Sequence, residues 1–163
     1  FSYSSFQRVK VWYDDISLYI DAIAKFERNN VKEKAITLNN NYSLISSIYY
    51  NRALIYFKQG NFSRAVTDFT SAIYYFPTYF EAYTNRGNTY GSMGNFDSAI
   101  NDYTVAIQIN PKYAEAYNNR AGTYYNIGKY DLAYNDLIMA QQLGYNVDPR
   151  FVAALQSVVK KEK

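Results

Sequence analysis

Cysteine and histidine are both missing from this 163-residue sequence. Without cysteine there is no disulfide and no thiolate metal site, and the redox compartment is left open. Without histidine the commonest general base and the commonest metal ligand go together. No apolar run approaches the roughly 18 residues that a membrane-spanning helix requires. Neither an initiator methionine nor a signal-peptide pattern stands at Phe1, so the chain reads as a fragment or a processed product. An excess of one charge is lacking too. The net charge is only +3, and residues 46–147 carry seven basic and seven acidic side chains. A nucleic-acid surface needs clustered lysine and arginine to displace counterions, so nucleic acid is not an expected partner. No nucleophile–base arrangement and no phosphate loop is visible. Gly87 and Gly91 sit in a helical pattern with no strand before them, and Asp97 and Asp131 fall where acids cap helices or face water. Neither catalysis, a cofactor nor a metal is expected.

What is present can build a core: 48% of the residues are hydrophobic, which excludes wholesale disorder. Tyrosine occurs 20 times and asparagine is abundant, and both read mostly as codon bias. The informative feature is recurrence at a spacing of 34 residues. Tyr49, Tyr83 and Tyr117 align, as do Asn51-Arg52, Asn85-Arg86 and Asn119-Arg120. Tyr56, Tyr90 and Tyr124 follow, then Gly60, Gly94 and Gly128. After the glycines come Ala65, Ala99 and Ala133, then Asp68, Asp102 and Asp136, and finally Ala72, Ala106 and Ala140. The units run 46–79, 80–113 and 114–147.

Each unit holds two helices. The first lies near 44–59, 80–93 and 114–127 and ends at the shared glycine, where the backbone turns left-handed. The second lies near 62–75, 96–109 and 130–143, with Asn61 and Asn95 as caps and Asp131 in that role in the third unit. Pro77 and Pro111 mark the next turn. Before the units, residues 1–13 alternate loosely like an extended strand. Asp14 or Asp15 caps a helix carrying Ile16, Tyr19, Ile20, Ile23 and Phe26, which breaks near Asn29-Asn30. Ala35 to Tyr42 matches Ala106 to Tyr113 in register and reads as the tail of a fourth, degenerate unit. Ser43-Leu44-Ile45 then lengthen the next helix, with Ser43 or a nearby asparagine as its cap. At the other end Asp148-Pro149 opens a capping helix, residues 148–163, with Phe151, Leu155 and Val158 as its apolar stripe.

These residues resemble the tetratricopeptide repeat. The large aromatics are Tyr49, Tyr83 and Tyr117; the small residues are Ala53, Gly87 and Ala121; the later partners are Phe69, Tyr103 and Leu137. The resemblance covers residues 46–160 and implies an all-α, right-handed superhelical solenoid of antiparallel helix pairs closed by a C-terminal capping helix. Small residues at Ala53, Gly87 and Ala121 should meet Ala65, Ala99 and Ala133, so that paired helices approach closely.

The resemblance also implies a concave groove lined by the first helix of each unit, and work as a scaffold or adaptor that holds a protein or peptide partner. Carried onto this chain, the lining is Ser47, Tyr50, Asn51, Leu54, Phe57 and Lys58; then Glu81, Thr84, Asn85, Asn88 and Ser92; then Glu115, Asn118, Asn119, Gly122, Tyr125 and Asn126. Asn51, Asn85 and Asn119 form a ladder of carboxamides that can donate to and accept from a peptide main chain. Tyr50, Leu54, Phe57 and Tyr125 would supply apolar pockets, unless they serve core or end packing. Arg52, Arg86 and Arg120 recur with Asp68, Asp102 and Asp136 and read as structural ion pairs. Some members of the family clamp the C-terminal carboxylate of heat-shock chaperones with lysine, asparagine and arginine. Asn85 matches that clamp, but Tyr50, Leu54, Glu115 and Asn119 stand where Lys, Asn, Lys and Arg are wanted. Glu81 and Glu115 favour a neutral or mildly basic ligand. The alternative is a self-assembling homo-oligomer whose groove is filled by Phe1, Phe6, Val9, Val11 and Trp12 of the N-terminal segment, or by another copy.

Overall fold

A computed structural model describes residues 17–25 and 38–161. The described residues form eight helices and no strand: α1 (17–25), α2 (Leu38–Lys58), α3 (Phe62–Tyr75), α4 (Phe80–Ser92), α5 (Phe96–Ile109), α6 (Ala114–Asn126), α7 (Tyr130–Gln142) and α8 (Pro149–Lys161). The chain divides into two compact units, Phe1–Thr78 and Tyr79–Lys163.

In the first unit α2 and α3 pack as a hairpin. Apolar residues at helical spacing make its core: Ile45, Tyr49, Ala53 and Tyr56 from α2, and Ala65, Phe69 and Ala72 from α3, with Ala53, Ala65, Phe69 and Ala72 wholly excluded from water. Tyr75 lies between two rings of α2, 5.9 Å from Tyr42 and 5.7 Å from Tyr49, both stacked. This contact goes with a departure from the sequence reading. The sequence reading starts this helix near residue 44, with Ser43 or a nearby asparagine as its cap, whereas α2 runs unbroken from Leu38. Asn40 stands where Pro111 ends the corresponding helix, so the backbone N–H is retained and the helix can continue. Ser43 is therefore inside the helix, its carbonyl accepting from Ser47 Oγ at 2.9 Å, and is not a cap. In α1, Ile23 is buried, whereas Ile20 is exposed alongside Leu18. The readings of residues 1–13, Asp14, Asp15, Ile16, Phe26, Asn29-Asn30 and Ala35–Thr37 fall outside the described residues.

In the second unit, hairpins α4–α5 and α6–α7 stack through α5 and α6, and α8 packs on α7. The final hairpin and α8 share one core of Ala121, Ala133, Leu137, Ala140, Val147 and Leu155. The inner face of α8 is Val152, Leu155 and Val159. Of the expected stripe only Leu155 is buried, while Phe151 and Val158 remain more than a third exposed. A helix with apolar groups at 151, 152, 155, 158 and 159 offers two overlapping stripes, and packing on α7 selects one.

Four helices end in the same way. Gly60, Gly94, Gly128 and Gly144 have φ of 74, 76, 75 and 88°. Each glycine N–H bonds the carbonyl three residues back, and the following N–H bonds the carbonyl five back, as in Gly94 to Gly91 at 3.0 Å and Asn95 to Tyr90 at 2.9 Å. This is the Schellman arrangement, in which a left-handed residue satisfies the last free carbonyls. Asn61 and Asn95 accept from the N–H of Arg64 and Ser98, both at 3.4 Å. Asp131 does not cap α7. It lies inside the first turn, after Lys129 at the cap position, where its charge suits the helix dipole.

The repeated arginine and aspartate are joined in every hairpin. Arg52 Nε and a terminal nitrogen reach Asp68 at 2.6 and 2.7 Å, Arg86 reaches Asp102 at 2.8 Å twice, and Arg120 reaches Asp136 at 2.7 and 2.8 Å. The aspartates are buried. Paired, doubly hydrogen-bonded charges are the form in which burial is tolerated. Tyrosine rings complete the shell: Arg52 lies over Tyr49 and Tyr56, Arg86 over Tyr83, and Arg120 over Tyr117 and Tyr124. Burial opposes the charge of Arg86 and Arg120, but the bonds to Asp102 and Asp136 outweigh it and hold both guanidinium groups above their ordinary range. These pairs are scaffold.

Candidate functional site

Residues three and four apart share one side of a helix. Glu81, Asn85, Asn88 and Ser92 therefore lie along one side of α4, and Glu115, Asn118, Asn119, Gly122 and Asn126 along one side of α6. Both helices belong to the second unit, and the structure joins their two sides through a specific set of bonds. Asn119 Nδ2 donates to Asn88 Oδ1 at 2.9 Å. Tyr103 of α5 donates its hydroxyl to the same oxygen at 2.8 Å. Asn118 Nδ2 donates to Asn119 Oδ1 at 3.3 Å.

The bonds run in one sense, and their direction fixes what is left over. Asn88 Oδ1 has two donors, so its amide group must point its hydrogens elsewhere. Those hydrogens have no acceptor among the described residues. At the other end, Asn118 has used its amide group, and its oxygen has no donor among the described residues. The result is one free donor and one free acceptor, held by half-buried side chains on adjacent helices.

Tyr103 makes this possible. Its ring is buried and lies against Gly87. A Cβ built on Gly87 would come 2.8 Å from Tyr103 Cε1 and 3.0 Å from Cδ1. Gly87 is thus small because of Tyr103, whereas the sequence reading had paired it with Ala99. Burial pushes the Tyr103 hydroxyl up to about 12, with the Thr123 hydroxyl acting in the opposite direction, so it stays protonated and a donor at neutral pH.

The charge on this surface has one sign. Arg86 and Arg120 are the only basic residues of α4 and α6, and both are turned to aspartates of α5 and α7. Glu81 and Glu115 remain. Glu115 accepts from the Tyr113 hydroxyl at 2.6 Å, and the Tyr113 ring meets Phe80 at 4.8 Å between centroids.

The other expected groove residues fare differently. Asn85 is half-buried and donates to the Glu81 carbonyl of its own helix at 3.0 Å. It is Asn88, one turn further along α4, that Asn119 reaches. Thr84 is fully buried, with its hydroxyl on the Phe80 carbonyl, and is not a lining residue. Tyr125 is exposed at the end of α6, its ring 5.5 Å from Tyr130 and 5.4 Å from Phe151. In the first unit, Asn51 is exposed on α2, and Leu54 is half-buried. Tyr50 is tied into the hairpin by Phe69, 5.7 Å away edge-on, and Phe57 meets Phe62 at 5.7 Å. The polar role of Tyr103 was missed in the sequence. Its signal was there: alone among Phe69, Tyr103 and Leu137 it carries a hydroxyl, and alone it faces a glycine.

The described helices include none long and apolar enough to cross a membrane. The sequence has no significant match among curated proteins. The family pattern of the tetratricopeptide repeat matches residues 46–79 and 80–113, and a second pattern of the same description matches 103–135. Among solved structures, the first tetratricopeptide domain of Spaghetti (RPAP3), bound to the HSP90 peptide SRMEEVD, superposes with a TM-score of 0.69 at 22% identity, covering 72% of this chain and 95% of that one. MamA gives 0.60 at 27% identity over 80% and 71%. The tetratricopeptide domain of Sgt2 from Aspergillus fumigatus gives 0.66 at 17% identity over 72% and 80%. With more than half its length matched, this all-α chain belongs to the tetratricopeptide-repeat family and is a protein–protein interaction module.

Proposed function

We propose that the chain works as a scaffold or adaptor by holding a peptide segment of a partner protein, and that the sides of α4 and α6 carrying Asn85, Asn88, Glu81, Glu115 and Asn119 are part of the binding surface. One observation carries this reading: the relay from Asn118 through Asn119 to Asn88 leaves a donor and an acceptor without partners among the described residues. A peptide main chain supplies both complements. Tyr125 of α6 is proposed as further lining of this surface, and Asn51, Tyr50 and Leu54 of α2 as a peptide-contacting surface of the first unit in its own right. No reacting group is required.

Two of the similar structures hold an HSP90 peptide, SRMEEVD. That ligand does not transfer. Its acidic residues would approach Glu115 and Glu81, and like charges across an interface oppose association. Panning a displayed library of random peptides against the whole chain tests the reading. Peptides should be enriched, and the double variant Asn88→Ala, Asn119→Ala should lose them while keeping its helicity. Equal retention by the variant sinks the proposal.

A second reading, assembly of copies, draws on Leu132, Met139 and Val158, which leave apolar surface exposed on α7 and α8. Sedimentation at rising concentration separates the two: a mass fixed at one chain removes the second. The N-terminal segment proposed to fill a groove lies outside the described residues.

A further inference from the structure

Gly122 has no packing reason to be glycine. It sits inside α6, at the position held by Leu54 in α2 and Asn88 in α4. A Cβ placed there meets nothing within 4 Å. Glycine in a helix interior is costly relative to alanine, because the unfolded chain loses more freedom. The neighbouring glycine of α4 is different in kind, since Tyr103 presses on Gly87. Gly122 lies one turn beyond Asn118 and Asn119, on their side of the helix, so a bare stretch of backbone adjoins the free acceptor and the free donor.

Charge narrows the ligand further. Arg86 and Arg120 are neutralised by Asp102 and Asp136, which leaves Glu81 and Glu115 as the charges of α4 and α6 without an ion pair among the described residues. They stand one turn before Asn85 and Asn119. A segment laid across the asparagines passes within reach of both carboxylates.

Resting on the peptide-binding reading above, we propose that this surface takes an extended segment bearing lysine or arginine, with its main chain crossing Gly122. A main-chain carbonyl of the segment accepts from Asn88 Nδ2, and an N–H donates to Asn118 Oδ1. The basic side chains reach toward Glu81 and Glu115. The missing side chain at Gly122 lets the backbone of the segment come close to the helix.

The test uses the whole chain and the peptides enriched by panning, synthesised and measured by fluorescence polarisation. Enriched peptides should carry lysine or arginine and avoid aspartate and glutamate. Gly122→Leu should weaken them about tenfold or more through steric exclusion. Its thermal midpoint should not fall, and Gly122→Ala should raise the midpoint by about 2–4 °C. Glu81→Gln with Glu115→Gln should weaken binding and flatten its salt dependence. Binding unchanged in Gly122→Leu, or enrichment of acidic peptides, overturns the inference. If either result comes with loss of binding in Asn88→Ala, Asn119→Ala, the broader peptide-binding reading survives. If that double variant also binds normally, or if no peptide is enriched, both fall.

Discussion

The hairpins α2–α3 and α4–α5 follow one plan, and one buried slot separates them most clearly. In the first, the slot holds Ala53 and Phe69, both fully excluded from water, and the edge of Tyr50 lies on Phe69. In the second it holds Gly87 and Tyr103, and the hydroxyl of Tyr103 reaches Asn88. The same backbone thus closes one hairpin with hydrocarbon and opens the other to a polar network. A larger ring with a polar tip needed a smaller residue opposite, so the two changes form one unit. Around the slot, the arginine–aspartate pair is kept in both hairpins with nearly the same distances. Invariant parts hold the hairpin, and the variable slot sets its surface chemistry.

Four experiments probe this contrast. The greatest loss is expected from Asp102→Ala, which strands the Arg86 charge in a buried site and should cost about 3–5 kcal/mol. Asp68→Ala should cost a similar amount, because that pair is equally enclosed, and urea denaturation of both variants measures it. If the hairpins respond very differently, the pair is not the common frame. Next is Gly87→Ala, where the new methyl meets a hydrogen-bonded ring. Overpacking of about 1–3 kcal/mol should exceed the gain of alanine in a helix. Adding Tyr103→Leu, the residue found at position 137, should rescue it, and a double-mutant cycle would give the coupling.

Tyr103→Phe alone should cost about 1 kcal/mol at neutral pH, since Asn88 Oδ1 keeps its bond from Asn119. Its pH dependence is more telling. The hydroxyl is held up to about 12 by burial, against an ordinary 10.0. Above pH 10 the unfolded chain has lost this proton and the folded chain has kept it. Stability from this group is therefore complete below pH 10 and declines as the pH rises toward 12. The wild type should lose stability faster than Tyr103→Phe across that window, and parallel curves would place the hydroxyl in water. The smallest effect is Asn95→Ala or Asn61→Ala. Their capping bonds are long, so each should cost about 0.5 kcal/mol, seen as a slight fall in thermal midpoint.

Much of the fold could be read from the sequence because its causes are local or periodic. A spacing of 34 brought out the paired helices, the glycine that ends each first helix, and the Arg52–Asp68 type of bond. Failures arose where a contact between distant residues decided the outcome. Near the start of α2, Tyr42 stacks on Tyr75 of α3, a contact between residues far apart in the chain. The inner side of α8 was misjudged by one residue because packing on α7, and the pull of Tyr125 on Phe151, chose between two apolar stripes. At the site, Asn85, Asn88, Glu81, Glu115 and Asn119 were named from their repeat positions. Their bonding was not readable, because it links Asn88 to residues 15 and 31 positions away. The sequence reading singled out the equivalent asparagines Asn51, Asn85 and Asn119 as a ladder. In the second unit the nonequivalent pair, Asn88 and Asn119, makes the bond that bridges the helices.

The glycine turns carry one more consequence. Gly60, Gly94, Gly128 and Gly144 are fixed by backbone bonds alone, with φ spanning only 74 to 88°. No side chain supplies these two bonds, so the chain leaves each of the four helices through the same turn whatever side chains flank it. A 34-residue unit bounded by such turns could be gained or lost whole while the bonds that end the neighbouring helices stay as they are.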